Sequence, residues 1–314
     1  MRSLAISAAL VVTALTLGGA KRPVMPVKNA QQPVDQHILR VQVLLDWAHF
    51  SPGLSDASMG NVTHLMLAAF QSQHKLSATG NPDDATMHAL EQNQQSVPTT
   101  VSYTISYDDV RGPFNPRPAN MMEQAKLPAL NYASPWDGLG EKFHCGPALL
   151  HRLNPDQKSL KPGDQVTVPN IHHDMPQGAA SISVSKSSRI VQALDASGKP
   201  VANYPATIGS EHDPLPIGDW KVTKVEWNPT FYYDPNLFWN ANPKDAKAVI
   251  KPGPRNPVGA VWIGLDKEHY GIHGTPDPGA IGHAESHGCV RLTNWDATEL
   301  AQMASSGMPV VFKE

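Results

Sequence analysis

Between residues 270 and 295 the chain reads YGIHGTPDPGAIGHAESHGCVRLTNW, gathering three histidines, an arginine and one of the chain's two cysteines among repeated glycines. Three chemistries use such a set. Zinc would draw on His273, His283, His287 and Cys289. However, only one glycine separates His287 from Cys289, and His283-Ala284-Glu285-Ser286-His287 carries its glutamate third, unlike the helical His-Glu-x-x-His pattern. A disulfide would join Cys145 to Cys289, yet stapled domains carry many more cysteines, and 314 residues are enough to bury a core without them. A cysteine nucleophile suits the residues best, because a neighbouring histidine or positive charge activates a thiol. His273 can take the thiol proton and return it to a leaving amine. Gly288 leaves room for substrate backbone, and the N–H groups of Gly288 and Cys289 can hold a developing oxyanion. Arg291, two residues along a strand, would share a face with Cys289 and either grip a substrate carboxylate or form a structural ion pair. His283 reads as a solvated loop histidine. No metal or organic cofactor is expected.

Short strands must position these residues. After the break at Gly178-Ala179-Ala180 the chain turns to alternating runs at 182–184, 189–194, 201–208, 220–225, 261–265, 270–273 and 310–312. One helix is expected over 294–304, capped by Thr293 or Asn294, with Asp296 and Glu299 near its positive end. Many strands with one helix predict a β-sandwich or barrel-like domain over 180–314. The loop 228–257, with aromatic residues clustered between Phe231 and Trp239, is long enough to be read as a substrate wall or lid.

The preceding part has a different texture. Arg2, an apolar run over 4–17 and Gly18-Gly19-Ala20 form the three parts of a signal peptide over 1–20, with Lys21 as first mature residue. The run is short of the roughly 20 residues that span a bilayer, so the mature chain is expected to be exported, without a transmembrane segment. A Pro-rich linker covers 21–37. Helical spacing then marks three helices over 38–96, the second capped by Asn61 or Ser58 and the third opened by Gly80-Asn81-Pro82-Asp83. Over 98–171 a strand at 101–105 and a Pro- and Asn-rich stretch lead to a short helix at 147–153 and a strand at 165–168. Cys145 beside that helix reads as a small buried apolar side chain. A formal net charge of −3 offers no basic footprint, which excludes nucleic acid as partner.

Three resemblances follow from these residues. Leu44-Leu45, Pro52-Gly53, Asp56, Gly60, Phe70-Gln71, Leu76, Gly80, Thr86 and Leu90 resemble the peptidoglycan-binding domain type 1, with Asp56-Ala57 where that family usually has Asp-Gly. Helix 147–153, Asn154-Pro155, Leu160-Lys161-Pro162-Gly163 and the strand ending in Pro169 resemble a LysM module, a binder of N-acetylglucosamine chains, interrupted by extra residues between Tyr103 and Glu141. Gly271-Ile272-His273-Gly274-Thr275 and Ser286-His287-Gly288-Cys289-Val290-Arg291 resemble the L,D-transpeptidase (YkuD) family. So do Tyr204-Pro205-Ala206-Thr207-Ile208-Gly209, Pro214-Leu215-Pro216-Ile217-Gly218, Asn256-Pro257-Val258-Gly259 and Leu292-Thr293-Asn294-Trp295-Asp296. The chain thus reads as multidomain: a small all-α three-helix domain, a LysM-like α+β segment and a mainly-β catalytic domain.

The last resemblance implies that Cys289 is the acylated nucleophile and His273 its base. Gly274 would orient that base through its carbonyl, and His287 would support the oxyanion region. Arg291, Ser286, Gly288 and Tyr270 would contact substrate. It implies a peptidoglycan tetrapeptide donor, D-alanine as leaving group and a 3→3 cross-link as product, in the periplasm or cell envelope. Peptidoglycan stem peptides and glycan strands would be the partners, and carbapenem-type β-lactams covalent inhibitors. The acceptor stays open at this point: water, another amine or a wall-linked protein would make the chain a carboxypeptidase, an exchanger or an attachment enzyme, and an inert wall-binding scaffold is the reading of another class.

Overall fold

The computed structural model describes residues 33–314 apart from 93, 95, 172, 173, 284, 285 and 287. The signal-peptide reading of 1–20, most of the 21–37 linker and His287 lie outside the described residues. Helix α1 (Gln36–Trp47) starts at Asp35, whose carboxylate accepts from the N–H groups of His37 and Ile38. Leu39 and Val43 on one face join the core of the following segment, while Val41, Leu44 and Leu45 face α2 (Asn61–Gln73) and α3 (Asp84–Glu91). A helix buried on both sides needs apolar residues all round, which is why 38–45 shows no clean stripe. The expected cap of α2 is corrected: neither Asn61 nor Ser58 caps it, and Gly60 occupies the N-cap without a side-chain bond. Asp83 caps α3 and accepts from the Thr86 N–H at 2.9 Å.

In the next segment β1 (Thr100–Thr104) pairs antiparallel with β2 (Gln165–Pro169), Thr100 opposite Pro169. Four short helices lie between them: α4 (Tyr107–Val110), α5 (Met121–Gln124), α6 (Pro135–Lys142) and α7 (Pro147–Leu153). Cys145 is buried in this core beside Trp136, Leu139 and Leu149, and both cysteines are free thiols.

The C-terminal part holds β3 (Ser181–Ser185), β4 (Ile190–Leu194), β5 (Pro200–Pro205), β6 (Thr207–Ile208), β7 (Gly218–Trp227), β8 (Phe231–Tyr233), β9 (Ala248–Ile250), β10 (Val261–Leu265), β11 (Gly271–His273), β12 (Val290–Arg291), α8 (Asn294–Met303) and β13 (Pro309–Lys313). Nine strands form one sheet in the order β5-β4-β3-β13-β7-β10-β11-β12-β6. Its two end strands, β5 and β6, are separated in the chain by Ala206 alone. Residues so close in sequence cannot be far apart in space, so the sheet must curl until its ends meet, giving a barrel-like domain. The single run expected over 201–208 is therefore two strands, split at the corner. Inside lie Ile182, Val191, Val261, Ile263, Ile272, Val290 and Phe312, with Leu300 of α8 packed on them. The 228–257 loop contains the hairpin β8–β9, whose Tyr233 and Ile250 pack on Leu130 and the α5 region. Among the described residues no helix is long and apolar enough to cross a membrane.

Candidate active site

The site is built on β11 and β12, which run parallel with Ile272 opposite Val290 and His273 opposite Arg291. Side chains alternate across a sheet, so the fully buried Ile272 and Val290 point into the core. His273 and Arg291, and with them Cys289 one step before the strand, face the other side. Antiparallel pairing with β10 places Trp262 opposite His273, and the two rings stack 5.3 Å apart at 19°. Gly271 makes room for that indole: a Cβ there would lie 2.5 Å from the Trp262 ring.

His273 is held from behind. Its Nδ1 lies 2.7 Å from the carbonyl oxygen of Gly274. A carbonyl only accepts, so Nδ1 carries the proton and Nε2 keeps a bare lone pair. The Gly274 N–H donates to the Val261 carbonyl, and the His273 carbonyl accepts from the Leu292 N–H. Burial, joined by the Arg291 charge, pushes the His273 pKa down to about 3, against the opposing pull of the Gly274 and Val258 carbonyls. The imidazole is neutral at neutral pH.

A second support was not read as functional in the sequence. Thr293 is the cap of α8 and accepts from the Asp296 N–H at 3.1 Å. That leaves the buried Asn294 side chain free to bolt neighbouring loops together. Its Oδ1 accepts from the Ala260 N–H at 3.0 Å, and its Nδ2 donates to the Pro254 carbonyl at 2.9 Å. A Cβ on either Gly259 or Gly274 would lie 2.1 Å from that Oδ1, so both positions exclude side chains.

Cys289 is only partly covered, and its thiol lies 3.6 Å from the His269 carbonyl, to which it can donate. Burial of the sulfur pushes its pKa up to about 11; the Gly271 backbone and Arg291 oppose this, and the Asp213 carboxylate adds to it. Ser286 is buried and donates its hydroxyl to the Cys289 carbonyl at 2.5 Å, while its N–H donates to the Gly209 carbonyl at 3.0 Å. Gly288, with φ +91°, lies under the Tyr270 ring, where a Cβ would meet Cε1 at 2.7 Å. The structure thus brings together Cys289, His273, Gly274, Arg291, Ser286, Gly288 and Tyr270. His283 stands apart, exposed. Trp262, Asn294 and Asp213 are additions that strand register and loop packing reveal. Among the described residues no three His, Cys, Asp or Glu side chains converge as a metal site.

A cysteine at the start of one strand and a neutral, carbonyl-oriented imidazole on the adjacent strand of a curled β-sheet are the groups that a cysteine-dependent acyltransferase uses. The profile of the YkuD family, described as the L,D-transpeptidase catalytic domain, matches residues 179–312, and that of a peptidoglycan-binding domain matches 35–90. Residues 179–312 thus carry an L,D-transpeptidase catalytic domain of the YkuD type. The YkuD protein of Bacillus subtilis, named as an L,D-transpeptidase, is 27% identical over 183 residues, covering 55% of this chain and 90% of that protein. YqjB of the same organism, named likewise, is 33% identical over 117 residues, which cover 35% of this chain and 58% of YqjB. A solved L,D-transpeptidase from Xylanimonas cellulosilytica aligns over 88% of this chain and 92% of its own at 14% identity, with a TM-score of 0.38, too loose to carry detail across.

Proposed function

We propose that the chain transfers peptidoglycan stem peptides through a thioester on Cys289. The Cys289 Sγ attacks the carbonyl of the third residue of a tetrapeptide stem as its proton passes to Nε2 of His273. The C–N bond to D-alanine then breaks, and His273 returns that proton to the leaving amine. An amine of a neighbouring stem attacks the thioester, gives up a proton to His273 and frees the thiol, leaving a 3→3 cross-link. The observation that carries this reading is the Nδ1 bond from His273 to Gly274, which leaves Nε2 as the acceptor on the face that Cys289 shares. Gly288 and Cys289 N–H groups, with His287, hold the oxyanion; Arg291 and Tyr270 border the substrate.

The thiol and imidazole pKa values are far apart in the sense that keeps both groups neutral at rest. Proton transfer therefore accompanies attack rather than preceding it. The glycan-binding reading of 98–171 is supported by the antiparallel β1–β2 pair with α6 and α7 between them, and 35–90 by its peptidoglycan-binding profile. A substrate of this kind places the work in the cell envelope, and the apolar run at 4–17 supports export to the periplasm.

The test is incubation of the purified chain with disaccharide-tetrapeptide, followed by mass spectrometry. Dimers that have lost D-alanine are expected, with none from Cys289→Ala. Tripeptide monomers alone would make water the acceptor, and unchanged substrate would overturn the reading. A carbapenem should add its mass to Cys289.

A further inference from the structure

Two cavities away from the thiol share a wall. The larger, about 300 Å³, lies where three parts of the chain meet: Leu54 from the helical unit, Asp137, Glu141 and Pro147 from α6 and α7, and Arg255 and Trp295 from the catalytic domain. The smaller, about 80 Å³, continues past Leu54 between Asp56, Gly60 and Thr63 on one side and Ile281 and His283 on the other. Leu54, Pro278 and Gly279 line both, so the two form one groove with a waist. Its catalytic wall, 276–283, is part of the crossover that joins β11 to β12, the chain between His273 and Cys289. The groove thus lies between the helical unit and the crossover that links His273 to Cys289 in the chain.

We propose that this groove seats a glycan strand, a neutral chain of N-acetylated amino sugars, beside the site where its stem peptides react. The proposal takes from the preceding reading only that the substrate is peptidoglycan.

The polar groups suit an uncharged polyol. Arg255 is neutralised by Asp137 at 3.2 Å. Sugar hydroxyls would donate to Asp137, Glu141 and Asp56. Leu54, Pro147, Pro278 and Trp295 offer flat apolar surface to the faces of sugar rings.

The glycines of the groove make the stronger argument. Elsewhere among the described residues each glycine either has a positive φ or would place a Cβ 3.1 Å or less from a neighbouring atom. Gly60 has φ −91° and nothing within 4 Å of an added Cβ. Gly146 has φ −90° and would touch only Leu54, at 3.8 Å; Gly279 would touch only Leu54, at 3.6 Å. Nothing in the backbone requires glycine at these three places. Their shared effect is to keep the groove open.

The test is isothermal titration of the N-acetylglucosamine tetramer into the full chain, into Gly279→Trp and, on the other side of the waist, into Gly60→Trp. Each substitution should weaken binding at least about tenfold, with the unfolding midpoint kept; should Gly279→Trp lose its fold, Gly60→Trp decides. Tetramer binding that neither variant weakens, no binding to the unmodified chain, or displacement of the tetramer by a sugar-free tetrapeptide overturns the proposal. Binding is read without turnover. A chain that binds through the groove yet transfers no stem overturns the acyl-transfer reading alone, and transfer without groove binding overturns this one alone.

Discussion

At Cys289 the same burial that would shield a thioester from water also holds the proton on sulfur. With the thiol near 11 and His273 near 3, the neutral pair is the populated state throughout the range between. Carbapenem acylation of Cys289, followed by intact mass, should therefore vary by less than about twofold from pH 5 to pH 8; a titration limb near pH 6–7 would reveal a resting thiolate–imidazolium pair. Asp213 opposes the thiolate, and one of its carboxylate oxygens is buried without a hydrogen bond among the described residues. Asp213→Asn should lower the thiol pKa and speed alkylation by iodoacetamide at pH 8, by about threefold or more. An unchanged or slower rate would remove Asp213 from the site. At this scale the sequence was informative where a residue type carries its own chemistry, as with Cys289 and His273. It was silent on Trp262 and Asp213, whose parts depend on a cross-strand partner and a folded-back turn.

Among the elements, the tightest joint is the one around α8. The Asn294 amide fills a slot that Gly259 and Gly274 leave empty, and so connects the 254–260 loop to the residue whose carbonyl orients His273. Asn294→Ala leaves a buried N–H and carbonyl without partners and should cost about 2 kcal/mol in urea unfolding, with transfer activity falling further than stability alone explains. A loss under about 0.5 kcal/mol would show that the bolt is dispensable. The hairpin β8–β9 has a comparable anchor: Leu130 donates to Pro252 and accepts from Arg255, and a Cβ on Gly253, at φ +145°, would meet the Leu130 carbonyl oxygen at 2.2 Å. Gly253→Ala should destabilise by about 1–3 kcal/mol; a neutral result in the same unfolding assay would contradict that packing. The 228–257 stretch was legible as a long aromatic loop but not as a hairpin, because its strands are only three residues long and their partner surface lies more than a hundred residues earlier.

For the whole molecule, the parts meet through polar contacts as well as apolar ones. Ser51 N–H donates to Asn203, Asn203 N–H to His49, and Ser55 N–H to His144. His144 pairs with Asp46 at 2.9 Å and stacks on Trp295 at 5.2 Å. Two carboxyls at this junction are raised to about 7: Glu141, by burial, with Asn294 and Arg255 opposing, and Asp296, by burial, with Ser51, Thr293 and His144 opposing. The folded chain keeps these protons where the unfolded chain has lost them. Their contribution to stability is therefore present below about pH 4, lost progressively as pH rises to about 7, and constant above that. Thermal unfolding midpoints should be lower at pH 8 than at pH 5, and Glu141→Gln should shrink that difference by several degrees; an identical difference in the variant would show that Glu141 does not hold its proton.

By itself the sequence singled out a candidate thiol and imidazole, the helical and mainly-β character of the two ends, and the family resemblance, because nucleophile chemistry, capping and alternation are local properties written in neighbouring residues. The tertiary structure alone decided that β5 and β6 close one curled sheet around Ala206, that His273 lies between Trp262 and Arg291, and that 276–283 faces the helical unit across a groove. Each of these depends on strand register and on packing between segments far apart in the chain, which no local pattern encodes.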